Sequence, residues 1–350
     1  MNYGLCRNSG SCFLFVKLRF YLVFLLLSCW LHSVTGQHDF ELDTVNLKAH
    51  ARALRCQSGM IYLGDNLGRC FVFNPITQEL TLLNFLQPEI RDVEVNQFGV
   101  LWMQTGDTGK VVQYTQNKPV LFPKPSGKSV FFDGLALKDS IVFAMGDPVN
   151  GIFQLFLSKN AGQHWDTIYG VNAKDGETAY AASGSTVQIF NDKLYFVSGG
   201  KCARIFVGKR LGKHWKSYRI PYVASDGEGP YSLCVIDKKH LVVVGGNYLY
   251  PNRTSQVCFY SHNGGKSWQE STRPPGGYRS CVIHFQGVTY ACGSNGLDFS
   301  TDGGMTWTHW LEGSFITMDV SSDEMLWLTT NKTLGLKCIE PIQIAVEIGN

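Results

Sequence analysis

Short apolar runs that end in a turn signal recur along the whole chain. Seven such runs, rich in β-branched and aromatic residues and closed by glycine or small polar residues, begin at Met60, Leu101, Ile141, Leu194, Leu241, Val288 and Met325. Runs of this composition are typical of strands buried on both faces, and the closing residues tolerate the positive φ that tight turns need. No helical 3.6-residue period of useful length competes with this pattern.

Further strands flank each run, and a fourth strand often begins at a tryptophan. The preceding strands fall at residues 90–93, 132–135, 180–183, 231–234, 278–281 and 315–318, with a weaker copy near His50. Four short strands repeated seven times predict an all-β, seven-bladed β-propeller that occupies residues 37–350 as a single domain. The last blade lacks a fourth strand after Cys338, so we expect residues 39–45 or the tail 342–348 to supply it.

The N-terminus differs from the rest of the chain. Arg7, Lys17 and Arg19 precede an apolar core at residues 21–31, and small residues follow at 34–36. This order predicts a signal peptide over residues 1–36 and a secreted, extracellular protein. The apolar core is shorter than the roughly 20 residues of a membrane-spanning helix, although an uncleaved anchor is the alternative. No later stretch is long and apolar enough to span a bilayer.

Charge and cysteine content limit the function classes. The leader holds three of the 31 basic residues and none of the 28 acidic ones, so the remainder is formally neutral and gives no argument for nucleic acid. Eight cysteines follow the leader, and some should pair as disulfides in an oxidising compartment, with buried thiols as the alternative. Asn252 and Asn331 are glycosylation acceptors. No zinc-ligand spacing or dinucleotide-type glycine loop is present, so we predict neither a metal nor a cofactor.

Four turns before the fourth strands share a motif. Residues 300–307 read Ser-x-Asp-x-Gly-x-x-Trp, residues 261–268 and 158–165 replace Asp with Asn, and residues 208–215 keep only Gly212 and Trp215. The Asp or Asn side chain can bond backbone amides across the turn, glycine permits the bend, and tryptophan packs between blades. These residues predict a turn-stabilising role in preference to a metal-binding or catalytic one.

This motif resembles the Asp-box (BNR) repeat superfamily. The segments 131–136, 146–151, 176–184, 244–248 and 277–280 extend the resemblance, which is closest to the photosystem II stability/assembly factor-like and sialidase-like secreted propellers. The resemblance implies the same propeller fold. Residues 218–221, Tyr-Arg-Ile-Pro, look like the arginine motif of sialidases. They follow Trp215, however, which places Arg219 on an outer strand, and we interpret the match as accidental.

One mouth of a propeller channel is the expected binding site, by analogy with other propellers. The innermost strands, the loops that lead into them and the loops between second and third strands would bring together Arg91, Asp92, Asp133, Asp147, Asn150, Glu177, Tyr180, Tyr231, Tyr278 and Arg279. Carboxylates, guanidiniums and aromatic rings together suit a polar ligand. The alternative is that Asp133 and Arg279 simply satisfy each other within the channel.

Two function classes follow from this site. The first is a non-catalytic secreted scaffold that binds an extracellular protein or glycan at the channel mouth, and it requires no feature that the chain lacks. The second is a sialidase-like glycoside hydrolase, for which Asp133, Asp147 and Glu177 are the candidate carboxylates.

A basic stretch offers a further contact. Seven lysines and arginines and no acid lie between Lys201 and Arg219. They could contact an anionic glycan or an acidic protein. A solvated outer edge, on which lysines discourage strand addition, is the alternative.

Overall fold

The described residues form seven sheets, six of them built from consecutive antiparallel strands, which confirms the predicted seven-bladed propeller. A computed structural model describes residues 37–43, 48–106, 109–115, 118–121, 130–331 and 333–343. The predicted signal peptide, residues 1–36, lies outside the described residues.

The first three blades each contain four strands in sequence order from the axis outward. Blade 1 contains β2 (Ala51–Gln57), β3 (Met60–Asp65), β4 (Arg69–Asn74) and β5 (Glu79–Phe85). Blade 2 contains β6 (Ile90–Asn96), β7 (Gly99–Gln104), β8 (Val111–Thr115) and β9 (Lys118–Leu121). Blade 3 contains β10 (Phe132–Lys138), β11 (Ile141–Val149), β12 (Ile152–Ser158) and β13 (Asp166–Ile168).

Blades 4 to 6 follow the same plan with one irregularity in blade 4. Blade 4 contains β14 (Glu177–Thr178), β15 (Val187–Phe190), β16 (Lys193–Gly200), β17 (Arg204–Gly208), a helical turn (Lys209–Gly212) and β18 (His214–Arg219). Blade 5 contains β19 (Gly229–Val235), β20 (Leu241–Gly246), β21 (Cys258–Ser261) and β22 (Gln269–Glu270). Blade 6 contains β23 (Cys281–Phe285), β24 (Val288–Gly293), β25 (Gly296–Ser300) and β26 (Thr308–Leu311).

Blade 7 joins the two ends of the described chain. It contains β27 (Phe315–Val320), β28 (Leu326–Thr330) and β29 (Leu334–Ile339), and β1 (Gln37–Asp43) lies beside β29 as its outermost strand. The N-terminal segment therefore supplies the missing strand, one of the two possibilities that the sequence left open. Phe40 of β1 stacks on Trp327 with a centroid separation of 5.6 Å and contacts Phe73 edge-on at 5.2 Å. These rings connect blade 7 to blade 1.

Aromatic packing between neighbouring blades fills the core. Phe153 of blade 3 contacts Phe196 and Phe206 of blade 4 at centroid separations of 5.1 and 5.2 Å, and those two rings stack at 4.3 Å. All three side chains are buried. Because each blade has two apolar faces, a blade is stable only when a neighbour covers each of them, and closure of the ring provides that cover.

Three motif turns share one hydrogen-bond pattern. In the turn of blade 6, the amide of Gly304 donates to Ser300 Oγ at 2.9 Å and the amide of Thr306 donates to Asp302 Oδ1 at 2.9 Å. Trp307 Nε1 donates to the carbonyl of Gly304 at 3.2 Å. The turns at 158–165 and 261–268 repeat these bonds with asparagine in place of aspartate. The acceptor oxygen of either side chain fixes the turn, as the sequence predicted.

The inner strand of blade 4 departs from the prediction. Residues 180–183 are not a strand, because the inner edge of this blade is divided between β14 and β15. The intervening residues 179–186, here named the plug, leave the sheet between them. Six of the eight plug residues are alanine, serine or glycine, and these small side chains permit close packing near the axis.

We predict that Phe40→Ala lowers the free energy of unfolding by about 2 kcal/mol, because it removes the aromatic contacts through which β1 joins blade 7 to blade 1. Phe85→Ala, on outermost strand β5 and 53% exposed, is the matched control and should change stability by less than about 0.5 kcal/mol. Urea unfolding followed by tryptophan fluorescence measures both values. Equal losses in the two variants would contradict the role of β1 in closure.

Candidate functional site

A cavity of about 630 Å³ opens at the channel mouth. Its walls come from the loops that lead into the inner strands and from the loops between second and third strands, as the sequence predicted for this mouth. Six of the predicted residues line it, namely Arg91, Asp133, Asp147, Tyr180, Tyr231 and Tyr278. The fold therefore brings together most of the residues that we expected there.

A β-bulge near the start of several inner strands aims one residue at this cavity. The pairing register between the first and second strands shifts at Arg52 in blade 1, at Arg91 in blade 2, at Asp133 in blade 3 and at Tyr231 in blade 5. Each of these four residues lines the cavity. A bulge turns its extra residue away from the regular alternation of faces, so the repeated fold presents two arginines, an aspartate and a tyrosine at equivalent positions.

The plug forms the floor of the cavity and contacts five other blades. Arg91 Nη1 donates to the carbonyl of Ala181 at 2.5 Å, and Thr186 Oγ1 donates to the carbonyl of Asp133 at 3.2 Å. The remaining contacts reach blades 5, 6 and 7 through hydrogen bonds that join Ser185 to Ser232, Ser183 to Ser280 and Thr317 to Ser183. A separate cavity of about 310 Å³ lies on the other side of the plug.

Aromatic rings form one wall. Tyr180 and Tyr231 stack at a centroid separation of 4.2 Å with an interplanar angle of 8°, and Tyr278 contacts Tyr231 edge-on at 4.9 Å. Tyr231 Oη donates to the carbonyl of Gly227 at 2.9 Å, and Tyr180 Oη donates to the carbonyl of Glu228 at 3.2 Å. These bonds hold the rings in place and leave a rigid apolar surface with polar edges.

Two arginines share one carboxylate on the opposite side. Arg52 Nε and Arg91 Nε lie 3.0 and 2.9 Å from the two carboxylate oxygens of Glu89. Burial is the main cause that lowers the pKa of Arg91, and the positive charge of Arg52 adds to it. Two guanidinium groups with one bridging acid leave a net positive charge at this wall, which favours an acceptor group on a ligand.

Asp133 and Asp147 meet at the third wall in unlike surroundings. Asp147 accepts hydrogen bonds from Thr178 Oγ1 and, at 2.9 Å, from the amide of Ala179. Asp133 is fully buried, and neither of its carboxyl oxygens makes a well-formed hydrogen bond within the described part of the chain. Burial raises the pKa of Asp133 well above its ordinary value, and the charge of Asp147 raises it further. Burial also raises the pKa of Asp147.

Four of the residues expected at the mouth do not line the cavity. Glu177 is buried in an ion pair with Arg204, whose Nε donates to Glu177 Oε1 at 2.8 Å. Arg279 is fully buried, and its Nε donates to Asp298 at 2.6 Å, so Asp298 is its partner instead of Asp133. Asp92 accepts the amides of Val93 and Leu135 below the plug, and Asn150 occupies an exposed turn with φ of 54°.

Among the lining residues that were not predicted from the sequence, four are charged or aromatic, namely Arg52, Phe131, Tyr248 and Phe315. Arg52 could have been found, because it follows Ala51 in the weak first repeat as Arg91 follows Ile90 in the second. Tyr248 lies on the loop after β20. Only the folded structure shows that this loop crosses the rim of the cavity. No repeat position marks such a loop residue.

The remaining sequence predictions concern modification and binding chemistry. All eight cysteines after the leader are free thiols in the structure, seven of them buried, so no predicted disulfide is observed among the described residues. Asn252 and Asn331 are exposed, and Asn331 lies at the rim of the cavity. Within the described ranges, no helix has the length and apolar character needed to cross a bilayer, and no three His, Cys, Asp or Glu side chains cluster as metal ligands.

The comparisons with known proteins support the fold. No protein-family model and no curated protein matches the chain. A streptogramin B lyase structure matches with a TM-score of 0.65 at 10% identity, covering 87% of this chain and 98% of that one. The WD40 β-propeller domain of Doa1 gives 0.63 at 11% identity over 88% and 98%, and the Neurospora crassa Pan2 WD40 domain gives 0.57 at 12% over 84% and 90%. At these identities the likeness shows a propeller fold alone.

We predict that Asp133→Asn stabilises the protein at neutral pH, by an amount on the order of 1–3 kcal/mol, because it removes a buried carboxyl with an unfavourable ionised form. A raised native pKa means that the folded state binds the proton more tightly, so wild-type stability falls as pH rises above about 4 toward that native pKa. The gain from Asn should therefore be small near pH 4 and grow with pH. Urea unfolding between pH 4 and 8 measures it, with the exposed Asp175→Asn as control. A gain that is independent of pH would contradict the assignment.

We predict that Gly184→Ala lowers the free energy of unfolding by about 2–4 kcal/mol, because the plug permits no side chain there. Gly184 has φ of 74°, and an added Cβ would lie 2.3 Å from the carboxylate of Asp92. Gly151 has the same φ with no atom within 4 Å of an added Cβ, so Gly151→Ala measures the backbone cost alone, about 1 kcal/mol. Thermal or urea unfolding compares the two, and equal losses would show that the plug tolerates the methyl group.

Proposed function

We propose that this protein is a secreted, non-catalytic β-propeller that binds a glycan in the cavity at its channel mouth. The observation that carries this proposal is the combination of a closed floor, an aromatic wall and facing polar groups in a single cavity of about 630 Å³. That volume lies within the roughly 300–1,000 Å³ typical of small-molecule sites. A flat protein surface would not enter a cup of this size, whereas one or two sugar rings would.

The chemistry of the three walls suits a sugar. The apolar face of a pyranose packs well on rigid tyrosine rings, and this wall contains Tyr180, Tyr231 and Tyr278. Hydroxyl hydrogen bonds hold the first two rings, and Tyr231 contacts both of the others. Sugar hydroxyl groups donate to carboxylates and accept from guanidiniums. Asp147 and Arg91 present such groups on the other two walls of the cavity.

The rim of the cavity provides a further aromatic contact. Tyr248, Leu249 and Tyr250 are 57%, 64% and 62% exposed on the loop that follows β20, and Tyr248 lines the cavity. Exposed large apolar side chains grouped beside a cavity commonly mark a binding site. If Asn331 carries the predicted glycan, that chain at the rim would limit access by large partners, which also favours a small ligand.

Glycoside hydrolysis is the alternative, and one observation favours it. A carboxyl with a strongly raised pKa, such as that of Asp133, can retain a proton for a leaving group, and Asp147 lies nearby as a second carboxylate. Glu177 does not contribute to this alternative, because Arg204 holds it in an ion pair away from the cavity. The binding proposal requires no reaction and therefore takes precedence.

We predict that Tyr248→Ala weakens glycan binding about tenfold, because it removes a stacking contact at the rim. Asp147→Asn should weaken binding by a similar factor through loss of a charged acceptor. A glycan array run with the mature protein identifies the ligand, and isothermal titration calorimetry with the best array glycan then measures each affinity. Tyr169→Ala is the matched control, because Tyr169 is 80% exposed and does not line the cavity.

Turnover separates the two functions. A fluorogenic glycoside panel run with wild type and Asp133→Asn should show no hydrolysis above background for either protein. Hydrolysis by wild type that Asp133→Asn abolishes would establish the glycosidase alternative. Absence of any glycan binding, or equal affinity losses in the Tyr248 and Tyr169 variants, would reject the proposed site.

A further inference from the structure

A further cavity, on the face of the propeller opposite the mouth, is lined by lysines. It has a volume of about 540 Å³ and lies between blades 4 and 5. Turns between first and second strands and between third and fourth strands supply most of its walls, whereas the mouth uses loops at the other ends of the strands. Its charged residues are Lys193, Lys209, Lys216, Lys238, Lys239 and Lys266, which together define the lysine groove.

The charged residues that line the lysine groove are all basic. None of the residues that line it is acidic, and none of its six lysines forms an ion pair within the described ranges. Asp237, in the turn beside Lys238, is engaged by His240, whose Nδ1 lies 2.7 Å from its carboxylate. The chain after the leader is formally neutral, so this excess is a local concentration and does not reflect a basic protein.

The backbone that carries these lysines is fixed by hydrogen bonds. The amide of Lys239 donates to Asp237 Oδ1 at 2.6 Å, and its carbonyl accepts from the amide of Gly264 at 2.8 Å, which ties the turn at 238–239 to the motif turn of blade 5. Lys216 and Tyr218 are two residues apart on β18 and therefore project from the same face. The lysine side chains therefore start from fixed backbone positions.

The lysine groove differs from the basic stretch identified in the sequence. Of the seven basic residues between Lys201 and Arg219, only Lys209 and Lys216 line it. Arg204 forms an ion pair with Glu177, and Arg219 is the last residue of the outermost strand of its blade. The other four lysines come from outside the stretch. The site is therefore a product of the packing of two blades.

We propose that the lysine groove binds a sulfated linear polysaccharide. Lysine ammonium groups are compact charges on flexible stems that adapt to a series of sulfates, and the lining has no arginine, whose planar fork suits bidentate phosphate recognition. An elongated polyanion can contact lysines that come from four separate chain segments at once. Like the proposed function, this inference rests on the protein being secreted, because the polyanion is extracellular. It uses none of the residues at the mouth.

The test uses the mature full-length protein and heparin as the probe. A variant with Lys209→Gln, Lys216→Gln and Lys239→Gln should bind heparin at least about tenfold more weakly in 0.15 M salt and elute from a heparin column at lower salt. The matched control, Lys138→Gln with Lys159→Gln and Lys174→Gln, changes three exposed lysines outside the groove and alters the net charge equally. It should retain wild-type binding.

Four outcomes decide the proposal. Loss of binding in the groove variant alone supports it, particularly if fully desulfated heparin fails to bind wild type. Equal losses in both variants would show dependence on net charge only, and no wild-type binding at 0.15 M salt would exclude the site. Duplex DNA that competes as well as heparin would overturn the polysaccharide assignment. Tyr248→Ala should leave heparin binding intact, so the result is independent of the glycan site at the mouth.

Discussion

Every blade of this protein has two apolar faces, and the need to cover both of them governs the structure. Neighbouring blades meet through large aromatic side chains, as Phe153 meets Phe196 and Phe206. A row of such blades would still leave one exposed face at each end. The ring removes those ends, and β1 completes it, because Phe40 packs against Trp327 of blade 7 and Phe73 of blade 1.

A closed ring leaves space on its axis, and the plug fills part of it. Because residues 179–186 leave the sheet of blade 4, their backbone and hydroxyl groups find partners on five other blades, including Arg91 and Ser280. The plug turns an open channel into a cup with a floor. The bulges in the inner strands then direct unlike side chains into that cup, so a repeated scaffold carries an unrepeated site.

Buried charged residues differ in whether they have a partner of opposite charge, and this difference separates structural residues from candidate binding residues. Glu177 with Arg204, and Arg279 with Asp298, are buried pairs that satisfy each other and support neighbouring strands. Asp133 is buried without such a partner, at the wall of the cavity. Protein interiors rarely leave a carboxyl in that state. The lysine groove differs, because five of its six lysines are exposed to water and their charge is open to a ligand.

The sequence by itself determined the number of blades, most of the strands that compose them and the role of the motif turns, because these depend on local alternation, turn residues and repetition. It also identified six of the mouth residues, since each occupies a repeat position near the start of an inner strand or the end of a second strand. The tertiary structure alone decided the plug, the partner of Arg279, the choice of β1 to close blade 7 and the lysine groove. Each of these features joins residues that are far apart in the chain. The packing of blades around the axis decides which residues meet, and no local sequence pattern specifies that packing.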